Sequence, residues 1–137
     1  MPVSYVNSGE TLALDLLAGK VTSAPLVLGL YTGDITPAED TNIGSLAALA
    51  PGGGYDVRTV TPAHWTTTAG APSAMQVNTA TASYGWTFTA SLGPIYGYYY
   101  VQAGTNKLFA AERFTGAPFT VLRSGDAITI IPRIEAE

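Results

Sequence analysis

The sequence predicts a mainly β protein: a single-domain β-sandwich or jelly-roll-like fold with one short N-terminal helix. Three observations carry that expectation. In several stretches apolar residues recur at every second position, the period of a strand with a buried face. Turn-forming residues, among them 15 glycines and 9 prolines, cut the chain into short pieces. Only one long stretch, SGETLALDLLAGK, has helical spacing instead. Short strands punctuated in this way are the material of sandwiches and jelly rolls.

The elements follow in order. In the helix, Ser8 is the expected cap and Glu10 lies near the positive N-terminal end. Leu12, Leu16 and Leu17 recur at helical spacing, and Gly19 stops the helix where a left-handed residue is wanted. PLVLGLYTG places Leu26, Leu28 and Leu30 on one face and Val27 and Tyr31 on the other, which reads as a strand buried on both sides. A turn of helix is expected in NIGSLAALA, capped by Asn42. YDVRTVTP is a strand ended by Pro62, and AMQVNTA is another. ASYGWTFTAS alternates Trp86 and Phe88 against Thr87 and Thr89, a half-buried pattern. Residues 93–114, GPIYGYYYVQAGTNKLFAAERF, form a hairpin around AGTN. In APFTVLRSGDAITIIPRI the SGD marks a turn, and Ile128, Ile130 and Ile134 share a face opposite Arg133. With no repeat or linker, residues 1–137 make one domain, with an N-terminal arm at 1–8.

Composition narrows the function. Apolar residues make up 47% of the 137 and charged residues only 12%, about half the roughly 25% usual in soluble domains. So little charge implies a surface covered by a partner, and oligomerisation or assembly is the first functional expectation. The net charge is −4 and the six basic residues are scattered singly, which argues against nucleic acid. Without cysteine there are no disulfides, thiolate zinc sites or cysteine nucleophiles. MPVSYVNSGE lacks the basic flank and apolar core of a signal peptide. No apolar run approaches the ~20 residues of a membrane span.

Tyr96, Tyr98 and Tyr100 should line one face of their strand, with Ile95, Tyr99 and Val101 on the other. An aromatic platform for sugars or bases is one reading. Packing in the core or a subunit interface is preferred, because tyrosine joins apolar area to a polar tip. Glu112 shares a face with Leu108 and Phe114. It reads as a buried structural pair with Arg58 or Arg123 rather than a general acid, since a glycosidase needs a second carboxylate. His64, the only histidine, has no neighbouring acid pattern and reads as a loop residue outside any chemistry. PGGGY lacks the Lys-Ser/Thr end of a P-loop and reads as a turn. GDITPAED departs from an EF-hand loop and reads as a solvated segment, with weak calcium binding a minor alternative. No catalytic group, cofactor motif or metal site emerges, so an enzyme is not expected.

The ordered set NSGE with its leucine-rich helix, LGLYTGDITP, PGGGYDVRTVTPAHW, YGWTFTAS, IYGYYYV, LFAAERF and SGDAITIIPRI, spanning Asn7 to Ile134, resembles small β-rich virion proteins of tailed bacteriophages. Those are of the capsid decoration (cement) type. The resemblance implies a non-enzymatic structural role, with Tyr31, Tyr55, Trp65, Tyr98 and Glu112 holding the fold together. It implies the major capsid protein as partner, a homo-oligomer of trimeric form, and a place on the capsid surface after synthesis in the host cytoplasm. The expected contact segments are MPVSYVN, the loop DITPAEDTNIGSLAALAPGGG, and TTTAGAPSAM. The alternatives are another virion part (head fibre base, tail or connector), a carbohydrate- or receptor-binding module using Tyr96–Tyr100, or a small hydrolase built on Glu112 or His64.

Overall fold

The computed structural model describes residues 4–70, 73–78, 80 and 83–135. In chain order the elements are β1 (Ser4–Tyr5), α1 (Asn7–Leu17), β2 (Leu26–Tyr31), α2 (Ile43–Leu46) and β3 (Arg58–Thr59). A 3₁₀ turn (Pro62–His64) leads into β4 (Trp65–Thr68), β5 (Ala74–Val77), β6 (Tyr84–Thr87), β7 (Gly93–Ile95) and β8 (Gly97–Gln102). The last four are β9 (Leu108–Arg113), β10 (Phe119–Val121), β11 (Ala127–Ile130) and β12 (Arg133–Glu135). The chain is mainly β, with several antiparallel sheets and the short N-terminal helix, consistent with a sandwich-like fold.

The wiring is a long hairpin folded over on itself. At its tip β8 pairs with β9; then β7 pairs with β10, β6 with β11 and β5 with β12, all antiparallel. The β6–β11 and β7–β10 pairs keep one register, so each step forward from Tyr84 to Ile95 is matched by a step back from Ile130 to Phe119. Such nesting is that of a jelly roll. The early part of the chain then widens the tip hairpin into a five-stranded sheet of order β1-β9-β8-β2-β3, while β4 adds to β5.

Three layers result. One face of the five-stranded sheet carries Leu28, Leu30, Tyr98, Tyr100 and Ala110, which pack on Val77, Tyr84, Trp86, Phe88, Ile95, Val121, Ile128 and Ile130 from the smaller sheets. The other face carries Tyr31, Tyr99, Val101, Leu108 and Ala111, closed by Val6, Leu46, Ile35 and Ile43. β8 is therefore buried along its whole length. Each fully buried aliphatic side chain here contributes ~1.5–3 kcal/mol.

Local rules explain several elements. Trp86 and Phe88 are buried and Thr87 and Thr89 exposed, as alternation predicts. Asn42 caps α2, its side chain accepting from Ser45 N–H at 3.1 Å. Gly19 (φ +71°) follows α1, and Gly104 and Asn106 (φ +84° and +54°) turn the β8–β9 hairpin.

Other expectations need correcting. Ser8 does not cap α1: Val6 occupies that position without a side-chain bond, and the Ser8 hydroxyl donates to Leu108 O at 2.6 Å. Next to it Gly9 lies against the Phe109 carbonyl so closely that a Cβ would overlap it. Docking onto β9 has displaced local capping. Leu12 is buried, but Leu17 is exposed. The arm expected at 1–8 is not separate, because Ser4 and Tyr5 pair with Ala111 and Ala110 and Asn7 already begins α1; residues 1–3 lie outside the described set. The strand expected across 55–62 is reduced to β3, flanked by irregular chain at 56–57 and 60–61 and ended by the 3₁₀ turn at Pro62–His64. The last strand is broken at Pro132, which cannot donate to a ladder, so β11 and β12 join different sheets.

Candidate functional site

The tyrosine-rich strand follows strict alternation only from Gly97 onward. Tyr96 lies between β7 and β8, and the chain changes sheets there. Ile95 therefore falls on the face of Tyr98 and Tyr100, while Tyr96 packs with Tyr99 and Val101. This reverses the expected positions of Ile95 and Tyr96. Glu112 is corrected similarly. A bulge pairs Val101 with Leu108 but Tyr100 with Ala110, leaving Phe109 extra. Leu108 thus moves to the Tyr99 face, away from the face shared by Ala110 and Phe114.

On the Tyr99 face two glycines explain how such large rings fit. Gly29 pairs with Tyr99 and Tyr31 with Gly97. A Cβ at Gly29 would run into the Tyr99 ring, and one at Gly97 would lie 2.6 Å from Tyr31 Cε1 and Oη. Each tyrosine lies over the glycine across from it, so both rings rest flat on the sheet. The Tyr31 hydroxyl donates to Ile35 O at 3.3 Å. Burial pushes its pKa up to about 12, with Arg113 a partial offset and Glu112 a smaller push upward.

The opposite face uses its rings differently. Tyr98 meets Tyr100 edge-on at 5.7 Å, and the Tyr98 hydroxyl donates to Glu112 Oε2 at 2.5 Å. Burial first, then Tyr100 and Glu112, raise the Tyr98 pKa far enough to keep the phenol protonated. Tyr100 is fully buried, and its hydroxyl has no hydrogen-bond partner among the described residues. Burial raises its pKa, with the nearby Arg133 backbone a partial offset. Tyr55 reaches the edge of β2 between β3 and the Ala48 bridge, where its oxygen accepts from Leu30 N–H at 2.9 Å while Leu30 O accepts from Leu49 N–H. Its ring leans on Trp86 at 5.4 Å, and burial raises its pKa, the Leu30 bond opposing the shift. Tyr98, Tyr99 and Tyr100 thus present no open stacking face.

The remaining predicted residues sit apart from one another in role. Tyr96 is half-buried beneath Arg113, whose guanidinium carbon is 5.1 Å from the ring centre. Arg113 also bonds Asp34 at 2.8 Å, which ties down the segment that read as a solvated loop. Of the arginines expected beside Glu112, Arg123 faces Asp126 at 3.8 Å and Arg58 is exposed on β3. Trp65 is partly buried against the main core. PGGGY is a turn in which Gly52, Gly53 and Gly54 all take positive φ. Among the described residues no three His, Asp or Glu side chains gather to hold a metal.

Two surface features were not legible in the sequence. Large apolar side chains stand exposed at Leu14 (67%), Leu17 (87%), Leu122 (70%) and Ile131 (52%). The loop 34–54, by contrast, turns Ile35, Ile43 and Leu46 toward the protein's own core. The segment TTTAGAPSAM is mostly the β4–β5 hairpin, and its residues 71–72 lie outside the described set. The second feature is an open groove of about 820 Å³ between β3 and β6, lined by Arg58, Thr59, Thr61, His64, Gly85 and Thr87 among others. His64 enters it through Tyr84, whose oxygen lies 2.8 Å from His64 Nδ1 and accepts from Thr61 N–H at 3.0 Å. These residues come from separate segments and share no motif. No protein-family model, curated protein or solved structure matches the chain.

Proposed function

We propose that the chain is a structural protein of a tailed-bacteriophage virion, a decoration protein that binds the assembled head shell and reinforces it. The observation that carries this reading is the set of exposed apolar side chains, Leu14, Leu17, Leu122 and Ile131, on a chain with 12% charged residues. A surface of that kind gains by being covered. The resemblance of the ordered motifs from Asn7 to Ile134 supports the same reading.

In this role the protein forms a homo-trimer that contacts several copies of the major capsid protein, on the outer surface of the particle. The work is done by mass action: binding that favours the mature lattice stabilises that lattice, and the added contacts must break before the shell opens. Catalysis has no part in it. The rings of the tyrosine strand then serve the fold, and ligand contact falls to the surface outside it.

The test is the copy number per purified particle, by quantitative peptide mass spectrometry against the major capsid protein. Copy numbers comparable to the shell protein are expected. A few copies would move the protein to the tail or connector, and none would remove the virion reading altogether.

A further inference from the structure

The groove between β3 and β6 is bounded by two strand edges that end their sheets. β3 is the last strand of the five-stranded sheet, and among the described residues β6 has β11 as its one strand partner. Val60 N–H donates to Leu26 O, so on β3 the backbone groups of Thr59 and Thr61 face outward. Phe88 N–H donates to Asp126 O, so on β6 those of Gly85 and Thr87 face away from β11. The 53–54 turn already covers the Thr87 end of that edge, with Thr89 N–H donating to Gly53 O and Gly54 packed against the Thr87 carbonyl, which leaves Gly85 as its open position. Thr61 N–H is taken by Tyr84 Oη. On these edges Thr59 and Gly85 have no partner among the described residues.

The two edges do not pair with each other, and Tyr84 shows why. At that end a whole tyrosine side chain plus a hydrogen bond separates the backbones, more than one inter-strand spacing of about 4.8 Å. The groove floor keeps the space open, since the outward residues of β6 and β11 there are Gly85, Thr87, Ala127 and Thr129. Its charge is one-sided. Arg58 lines it and no carboxylate does, on a chain of net charge −4. Among the described residues Arg58 and Lys107 make no ion pair, whereas Arg113, Arg123, Arg133 and Lys20 each face an acid, and of the two only Arg58 lines the groove.

We propose that this groove takes an extended, acidic peptide segment of a partner protein as an added β-strand, held by main-chain bonds to Thr59 and Gly85 and by its carboxylates to Arg58. Unpaired edges template such addition. The small side chains on the floor let a second backbone approach, and the charge selects acidic over basic segments. The proposal stands independently of the virion reading.

The test uses the full ¹⁵N-labelled chain and three peptides: Ac-TETETET-NH₂, the same peptide N-methylated at alternate residues, and Ac-TKTKTKT-NH₂. The acidic peptide should shift the Thr59 and Gly85 amide resonances and slow their hydrogen exchange. The N-methylated and lysine peptides should not. Arg58→Glu should weaken binding about tenfold, as for reversal of a charge at an interface, with the spectrum elsewhere unchanged. No shift at millimolar peptide would overturn the proposal. So would binding that survives N-methylation, which would make the groove a plain anion site, or shifts centred elsewhere. If the same amides shift with protein concentration alone, the occupant is a second copy of this chain and the partner assignment fails.

Discussion

The two faces of the central sheet bury tyrosine by opposite means. On the face of Tyr98 and Tyr100 the rings stand away from the sheet into a second layer of strands, which must supply room and partners for them. On the face of Tyr31 and Tyr99 the rings lie down over Gly97 and Gly29, and the sheet makes its own room. A helix and a loop suffice to close that side. Adjacent tyrosines in one strand thus rely on different neighbours: Tyr98 on a carboxylate, Tyr99 on the absence of a Cβ. The lesson is that an aromatic run need not be a ligand platform even when its rings alternate faces.

Alkaline pH should break both faces and has the largest expected effect. Burial raises the phenol pKa at Tyr31 and Tyr99 on one face and at Tyr55, Tyr98 and Tyr100 on the other. A folded pKa above the unfolded value of 10.0 adds stability that is complete below pH 10 and is lost as pH rises through the folded value. Phenolate absorbance from these rings should therefore rise together with loss of near-ultraviolet circular dichroism, Tyr31 ionising at about pH 12. Ionisation of all five below pH 10 with the fold intact would contradict the packing on both faces.

Alanine at the two glycines separates the faces further. Gly97→Ala drives a Cβ into the Glu112 carbonyl as well as the Tyr31 ring, and should cost about 3 kcal/mol or more in urea unfolding. Gly29→Ala meets only the Tyr99 ring among its nearest atoms, so Tyr99→Leu should recover much of its loss. Tyr31→Leu should not rescue Gly97→Ala, because the backbone obstacle remains. Equal rescue in both pairs would show that the side chains alone set the spacing.

The phenol oxygens give the smaller effects. Tyr98→Phe removes a hydrogen bond to a carboxylate and should cost about 2 kcal/mol. Tyr100→Phe removes a buried hydroxyl without a partner among the described residues, and its stability should stay within about 0.5 kcal/mol or rise. The two urea midpoints, measured side by side, decide this. A Tyr100→Phe loss as large as that of Tyr98→Phe would mean that the Tyr100 hydroxyl is bonded after all.

Much of the fold could be read from local pattern, because local chemistry decides it. The Asn42 cap, the Trp86–Phe88 alternation and the stop of the helical stretch at Gly19 depend on neighbours a few residues away. What escaped was set by distant pairing. Tyr96 changes face because the chain leaves β7, bound to β10, for β8, bound to β2 and β9. Ser8 abandons its cap for a carbonyl one hundred residues on. One signal was available: Gly29-Leu-Tyr31 and Gly97-Tyr-Tyr99 share the spacing Gly-x-Tyr, and antiparallel alignment sets each glycine opposite the other's tyrosine. The groove gave no such signal, since Arg58, His64 and Gly85 meet only because Tyr84 spans the gap between two sheets.

The folded-over hairpin has a consequence for how the chain comes into being. A ribosome releases β2 long before its partner β8, and β1 long before β9, so β2 has β3 alone beside it and β1 has no partner until residues 97–113 are made. The tip hairpin is the only short-range closure of the central sheet. Once it forms, each outer pair of the fold closes a small gap instead of a long loop, which keeps the entropic cost of every later step low. The tyrosine strand is then the hub at which waiting and zipping meet. Chains halted before β9 should remain open to protease, and chains released just after it should become resistant outward from the tip.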